Sequence, residues 1–266
     1  MRRLTRTASC PRLPMRFAQG LLAIAWCAAL PAALGAQSGP TPESSRHSMW
    51  LVYGGDHPIS SRVGFVFDSH LRLTADGDRQ RQLLVRPGLS FTLSDHVKLS
   101  AGYAMMGARD DANDPLTPRR PEHRAWISAQ LAHDVGPIAL AHRYRAEHRW
   151  LPGVRVDDAG APVGETVVTA ERMRYSVRAT VPLSGRGSAH GLTASVSEEL
   201  FASFGGYAGD VAVDQNRAAV AIGVRLRRSM RMEIGYMLQS SAGDDGRFTE
   251  RNHVLQITAI SAARLR

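Results

Sequence analysis

The amino-acid sequence predicts an all-β protein, an antiparallel up-and-down transmembrane β-barrel of about 10–12 strands preceded by a cleavable signal peptide. Three observations carry this reading. Apolar and polar residues alternate with a period of two over segments of about ten to fourteen residues, longer than the strands of most soluble sheets. The connections between these segments alternate short and long, and the first 36 residues run basic, apolar, then small. No run of about eighteen apolar residues occurs, which excludes a helical membrane bundle. A composition of 44% hydrophobic and 21% charged residues excludes a disordered chain.

Residues 1–36 are expected to be the signal peptide. Arg2, Arg3, Arg6, Arg12 and Arg16 precede the apolar run Leu21–Leu30, and Pro31–Ala36 supplies the small residues before cleavage after Ala36. Gly35 is the alternative cleavage point, and Met15 is an alternative start. The run is too short to stay in a bilayer as a span. Ala25 and Trp26 before Cys27 are wrong for lipid attachment. Both cysteines, Cys10 and Cys27, leave with the signal, so the mature chain has no disulfide framework, thiolate metal site or cysteine nucleophile. Taking the five signal arginines from the 33 basic residues leaves 28 against 24 acids, a small excess that argues against nucleic acid as a partner. Lys98 is the single lysine, so the positive side chains are nearly all planar forks suited to carboxylate or phosphate.

Residues 37–48 read as a linker and 49–262 as the barrel. The first clear strand covers residues 62–73, with Val63, Phe65, Phe67, Leu71 and Leu73 opposed to Arg62, Asp68, His70 and Arg72. Residues 80–93, 96–106, 122–132, 138–150, 172–183, 192–201, 217–226, 231–239 and 252–260 follow, most with the same opposition. Trp126 is an exception that falls on the polar face. Ser94-Asp95, residues 133–136 and residues 227–229 make tight turns. Residues 107–119, 151–167, 202–211 and 240–250 make longer connections rich in Gly, Asp and Pro. Short turns on one rim and long loops on the other place the long side outside the cell. Ten strands counted from residue 62 leave both ends on the periplasmic rim. The segment Trp50–Tyr53 is an eleventh candidate that breaks that parity. The chain ends in Ser261–Arg266, without the terminal aromatic usual for barrel assembly.

Trp50, Gln82–Gly88, Gly102-Tyr103, Glu122–Arg124, His142–Arg149, Arg172–Tyr175, Glu199, Asp214–Arg217, Gly235–Met237 and Asn252-His253 together resemble the bacterial family catalogued as domain of unknown function 2490. The run Arg143–Arg149 is the most specific part. The resemblance implies an outer-membrane barrel without an assigned activity.

With the apolar face toward lipid, the other face lines the lumen. Its expected ionic network is Glu122, Arg124, Arg143, Arg145, Glu147, Arg149, Arg172, Arg174, Glu199 and Arg217. A barrel of this size is narrow, so these long side chains must fill it and pair with one another. The leading reading is an outer-membrane barrel of Gram-negative type, structural or a narrow channel, with the excess arginine attracting anions. Its expected partners are outer-membrane lipid, lipopolysaccharide and the barrel-assembly machinery, with no cofactor and no metal.

Two alternatives stand beside it. One is a rim-located enzyme: a lipid hydrolase using outward His142 or His253 with a serine, or a protease using Asp110, Asp111, Asp114 and His123. The other is a soluble periplasmic β-barrel binding an anionic or lipid ligand, with its apolar faces turned inward. Asp76-Gly77-Asp78 and Asp244-Asp245 lack the ligand spacing of a calcium loop. No phosphate loop, His-Glu-x-x-His helix or Gly-x-Ser-x-Gly elbow is present.

Overall fold

The computed structural model describes residues 44–74, 81–109, 121–184, 191–205, 212–242 and 248–264. The expected signal peptide, Asp76 to Asp78, Asp110, Asp111, Asp114 and Asp244-Asp245 lie outside these residues. Eleven strands close into one barrel: β1 (Ser44–Pro58), β2 (Val63–Thr74), β3 (Arg81–Thr92), β4 (Val97–Arg109), β5 (Glu122–Val135), β6 (Ile138–Val156), β7 (Pro162–Pro182), β8 (Leu192–Phe204), β9 (Ala212–Arg227), β10 (Met230–Ala242) and β11 (Phe248–Ser261). Consecutive strands pair antiparallel, and β1 closes against β11 in parallel, from Ser44↔Glu250 to Gly55↔Ser261. An odd number of antiparallel strands leaves the first and last pointing the same way, so the barrel can close only through a parallel seam. The Trp50–Tyr53 candidate is therefore a full strand. The start of β1 and the end of β11 lie at opposite rims, where a ten-strand count would have left both ends together. β1 begins at Ser44, inside the segment read as linker.

Every one of the ten expected strands is present, several of them longer than their alternation suggested. β6 and β7 pair from Ala139↔Thr180 out to Val156↔Pro162, so residues 151–156 and 162–167 are hairpin rather than loop. The tight β5–β6 turn needs a backbone that matches the twist of its strands. Gly136 supplies a positive φ of 61° at the first central position, and Pro137 holds its own φ negative, which makes a type II′ turn.

The polarity of the wall is inverted relative to a soluble barrel. Leu83, Leu89, Ile127, Met173, Ile222, Ile234 and Leu255 stand exposed on the outside, Ile127 at 64%. Arg86, Glu122, Arg124, Arg145, Glu147, Arg149, Arg174 and Glu233 are buried inside. Aromatic and histidine side chains cluster on the outer wall toward both ends of the strands. On the short-turn side Tyr53 and His57 share a hydrogen bond of 3.0 Å, as do His142 and Tyr175 at 2.9 Å. On the opposite side Tyr103 pairs with His123 at 2.8 Å and Tyr236 with His253 at 2.6 Å, while His148 meets Trp150 edge to face.

Candidate functional site

Alternation along β5 to β9 sends one residue in two into the lumen, where the arginines and glutamates of neighbouring strands meet. Glu122 accepts from Arg124 Nε at 2.8 Å and from Arg149 Nε at 2.6 Å. Arg124 reaches on to Glu147 at 3.4 Å, and Glu147 accepts from Arg174 Nη1 at 2.7 Å with Arg86 Nη1 3.6 Å away. Arg174 then donates to Glu199 at 2.8 Å, which also accepts from Arg143 at 2.8 Å and pairs with Arg217 at 3.7 Å. The result is one chain of alternating charge, from Arg149 through Glu122, Arg124, Glu147, Arg174 and Glu199 to Arg143 and Arg217. Charge-assisted bonds of this length keep long side chains ordered across the lumen.

Eight of the ten residues expected in the network lie in that chain. Arg172 forms a side branch, donating from Nη2 to Asp214 at 3.0 Å and from Nε to the Ser203 hydroxyl at 2.9 Å. Asp214 was not foreseen as a lumen residue, because alternation along β9 points it outward. A β-bulge at Phe201/Ala202 pairs Phe201 with Gln215 but Ala202 with Val213. Asp214 is the extra residue, and a bulge re-aims its side chain. Arg145 stands apart from the chain: among the described residues it has no ion pair and no hydrogen bond.

Aromatic rings complete the filling. Trp50 sits between Arg72 and Arg217, at 4.1 and 5.0 Å from the ring centroid, and packs with Met237 and Val254. Phe201 lies under Arg174 and Arg217, each at 4.6 Å. Trp126, which alternation placed on a polar face, points inward beneath Arg145 at 4.6 Å. Its ring occupies a recess left by the facing pair Gly88↔Gly102, where a Cβ would come within 2.6 and 2.7 Å of the indole. The signal in the sequence was that pair of glycines at matching positions of adjacent strands.

The filling divides the lumen. A cavity of about 520 Å³ is lined at the short-turn rim by Asp56, Lys98 and Ser261 and at its inner end by Arg145, Arg174 and Glu199. Asp68 and Arg86 pair in its wall at 2.9 Å. A smaller cavity of about 150 Å³ lies toward the other rim, between Arg46, Arg72 and Glu250. Trp50 lines both, so its indole stands between them.

A family profile described as Protein of unknown function (DUF2490) matches residues 47–250. Among solved structures, one titled "NanC porin structure in rhombohedral crystal form" is similar, with 11% identity, coverage of 69% of this chain and 77% of that chain, and a TM-score of 0.37. No curated protein matches.

Proposed function

The chain belongs to the family described as Protein of unknown function (DUF2490), and from its inverted polarity we propose that it is an outer-membrane β-barrel, exported through the periplasm, with a lumen plugged by its ionic chain. The observation that carries the reading is the outer wall. Aliphatic side chains cover it and aromatic pairs flank it, whereas monomeric soluble proteins rarely expose contiguous apolar patches beyond a few hundred Å². A bilayer turns that surface from a cost into the source of stability, and Tyr, Trp and His at the two ends suit the membrane interfaces. The short turns then face the periplasm, and lipid and lipopolysaccharide contact the wall. The mature chain is expected in the outer-membrane fraction, migrating faster in electrophoresis before boiling than after. Recovery as a soluble periplasmic protein with no heat-dependent shift overturns the proposal.

The narrow-channel form of this reading has its own test. Ions would pass the filled lumen only slowly, and arginines outnumbering acids along the path would favour anions. Planar bilayers holding the purified protein are expected to show small, anion-preferring conductance. Combined replacement of Arg145 and Arg174 by glutamine should erase the preference, and selectivity unaltered by the double substitution refutes it.

A further inference from the structure

Arg145 differs from the other fully buried arginines of the lumen, Arg86, Arg124, Arg149 and Arg174, each of which has an ion pair. It is 6% exposed, and its Nε and Nη1 are buried with no hydrogen-bond partner. Its neighbours Arg86, Arg143 and Arg174 line the same cavity, yet each is already matched to Asp68, Glu199 or Glu147. A buried cation with no hydrogen-bonded acid carries a desolvation penalty that a bound anion would relieve. Two polar groups beside it, the Ser128 hydroxyl opposite Arg145 in the β5–β6 register and the Trp126 indole N–H, are also buried without partners.

We propose that the inner end of the 520 Å³ cavity binds an oxyanion group, a carboxylate or a phosphate, carried on a small organic molecule and held by Arg145. The planar fork presents paired N–H donors with the geometry of such a group. Stacking on Trp126 fixes the plane of the fork before the ligand arrives, which lowers the ordering cost of binding. The cavity has the size of small-molecule sites, and Trp50, Val66 and Ala219 in its wall offer apolar surface to the rest of the ligand. The donor chemistry is independent of the membrane. The cavity extends to the short-turn rim, and access to it from the periplasm rests on the function proposed above.

The mature protein, with folding confirmed by its heat-dependent migration, is titrated with inorganic phosphate, with benzoate and with neutral benzamide while tryptophan fluorescence and thermal unfolding are followed. Saturable binding of phosphate or benzoate is expected, with benzamide silent. Saturation by phosphate alone marks a phosphate ligand, and saturation by benzoate alone a carboxylate beside apolar surface. Arg145→Gln should weaken binding at least about tenfold, and Arg145→Lys, which keeps the charge and loses the fork, should fall between. If Arg145→Gln does not fold, the Lys variant and the contrast between benzoate and benzamide decide. No saturable binding below about 50 mM, equal binding by the Gln variant, or full displacement by equimolar chloride overturns the proposal. A chain recovered in solution fails the fractionation test first, and the same titration in buffer still judges the anion site.

Discussion

Replacing Glu147 by glutamine is expected to lower the stability of the folded barrel by about 3–5 kcal/mol, read as a shifted urea midpoint of the heat-modifiable band. Glu147 is 1% exposed and faces Arg174 at 2.7 Å, Arg124 at 3.4 Å and Arg86 at 3.6 Å. Glutamine keeps the shape and removes the charge, so three guanidinium groups converge on a neutral amide in a space that admits little water. Breaking a buried pair from one side costs far more than the pair contributes, because the remaining charge is stranded. Glu171, whose side chain is 59% exposed beside His148, is the comparison. Its replacement by glutamine should change the midpoint little, as exposed pairs usually do. Equal midpoints for the two variants would show that the chain of charges does not hold the lumen together.

Alanine at Gly102 is expected to be as damaging through a different cause. A Cβ there would lie 2.2 Å from the Pro87 carbonyl oxygen and 2.6 Å from the Gly88 Cα, and 2.7 Å from Trp126. The first two are backbone atoms of the paired strand, so no side-chain rotation relieves the clash, and β3 and β4 must separate. Overpacking that forces backbone shifts typically costs about 1–3 kcal/mol, occasionally more, and a clash between backbone atoms falls at the upper end. Gly107, on the same strand with open space around it, provides the control, and alanine there should be nearly neutral. The readouts are the folded fraction after refolding into detergent and the tryptophan emission wavelength. A Gly102→Ala protein as stable as Gly107→Ala would mean that the β3–β4 approach is looser than described. Removing the indole as well should not rescue Gly102→Ala, since the closest contacts are backbone.

The lumen residues were legible wherever strict alternation held. Glu122, Glu147, Glu199 and their arginines sit on inward positions of uninterrupted strands, and period two alone placed them on the face that meets across the barrel. β1 was harder to see because both of its faces carry apolar residues. Met49, Leu51 and Tyr53 occupy one set of positions, and Trp50 and Val52 the other. Asp214 was hidden by the bulge, which changes the period locally without a mark in residue type. The hairpin beyond Trp150 was hidden by Pro152, Gly153 and Gly164, whose composition reads as loop although the pairing continues through them.

The residues by themselves determined the strand-built wall and which side chains face each way, because a strand's two faces are set by local geometry and need no knowledge of its neighbours. Only the tertiary structure decided how the ends meet. Nothing in the alternation of β1 or β11 encodes a parallel seam between segments some two hundred residues apart. The same holds for charge: the inward arginines are equivalent in sequence, and which of them finds a carboxylate depends on the register and tilt that bring strands together. Arg145 lands opposite Ser128 and Arg174 and above Trp126, with no acid at ion-pair distance among the described residues, and that placement separates a candidate anion site from the ionic chain beside it.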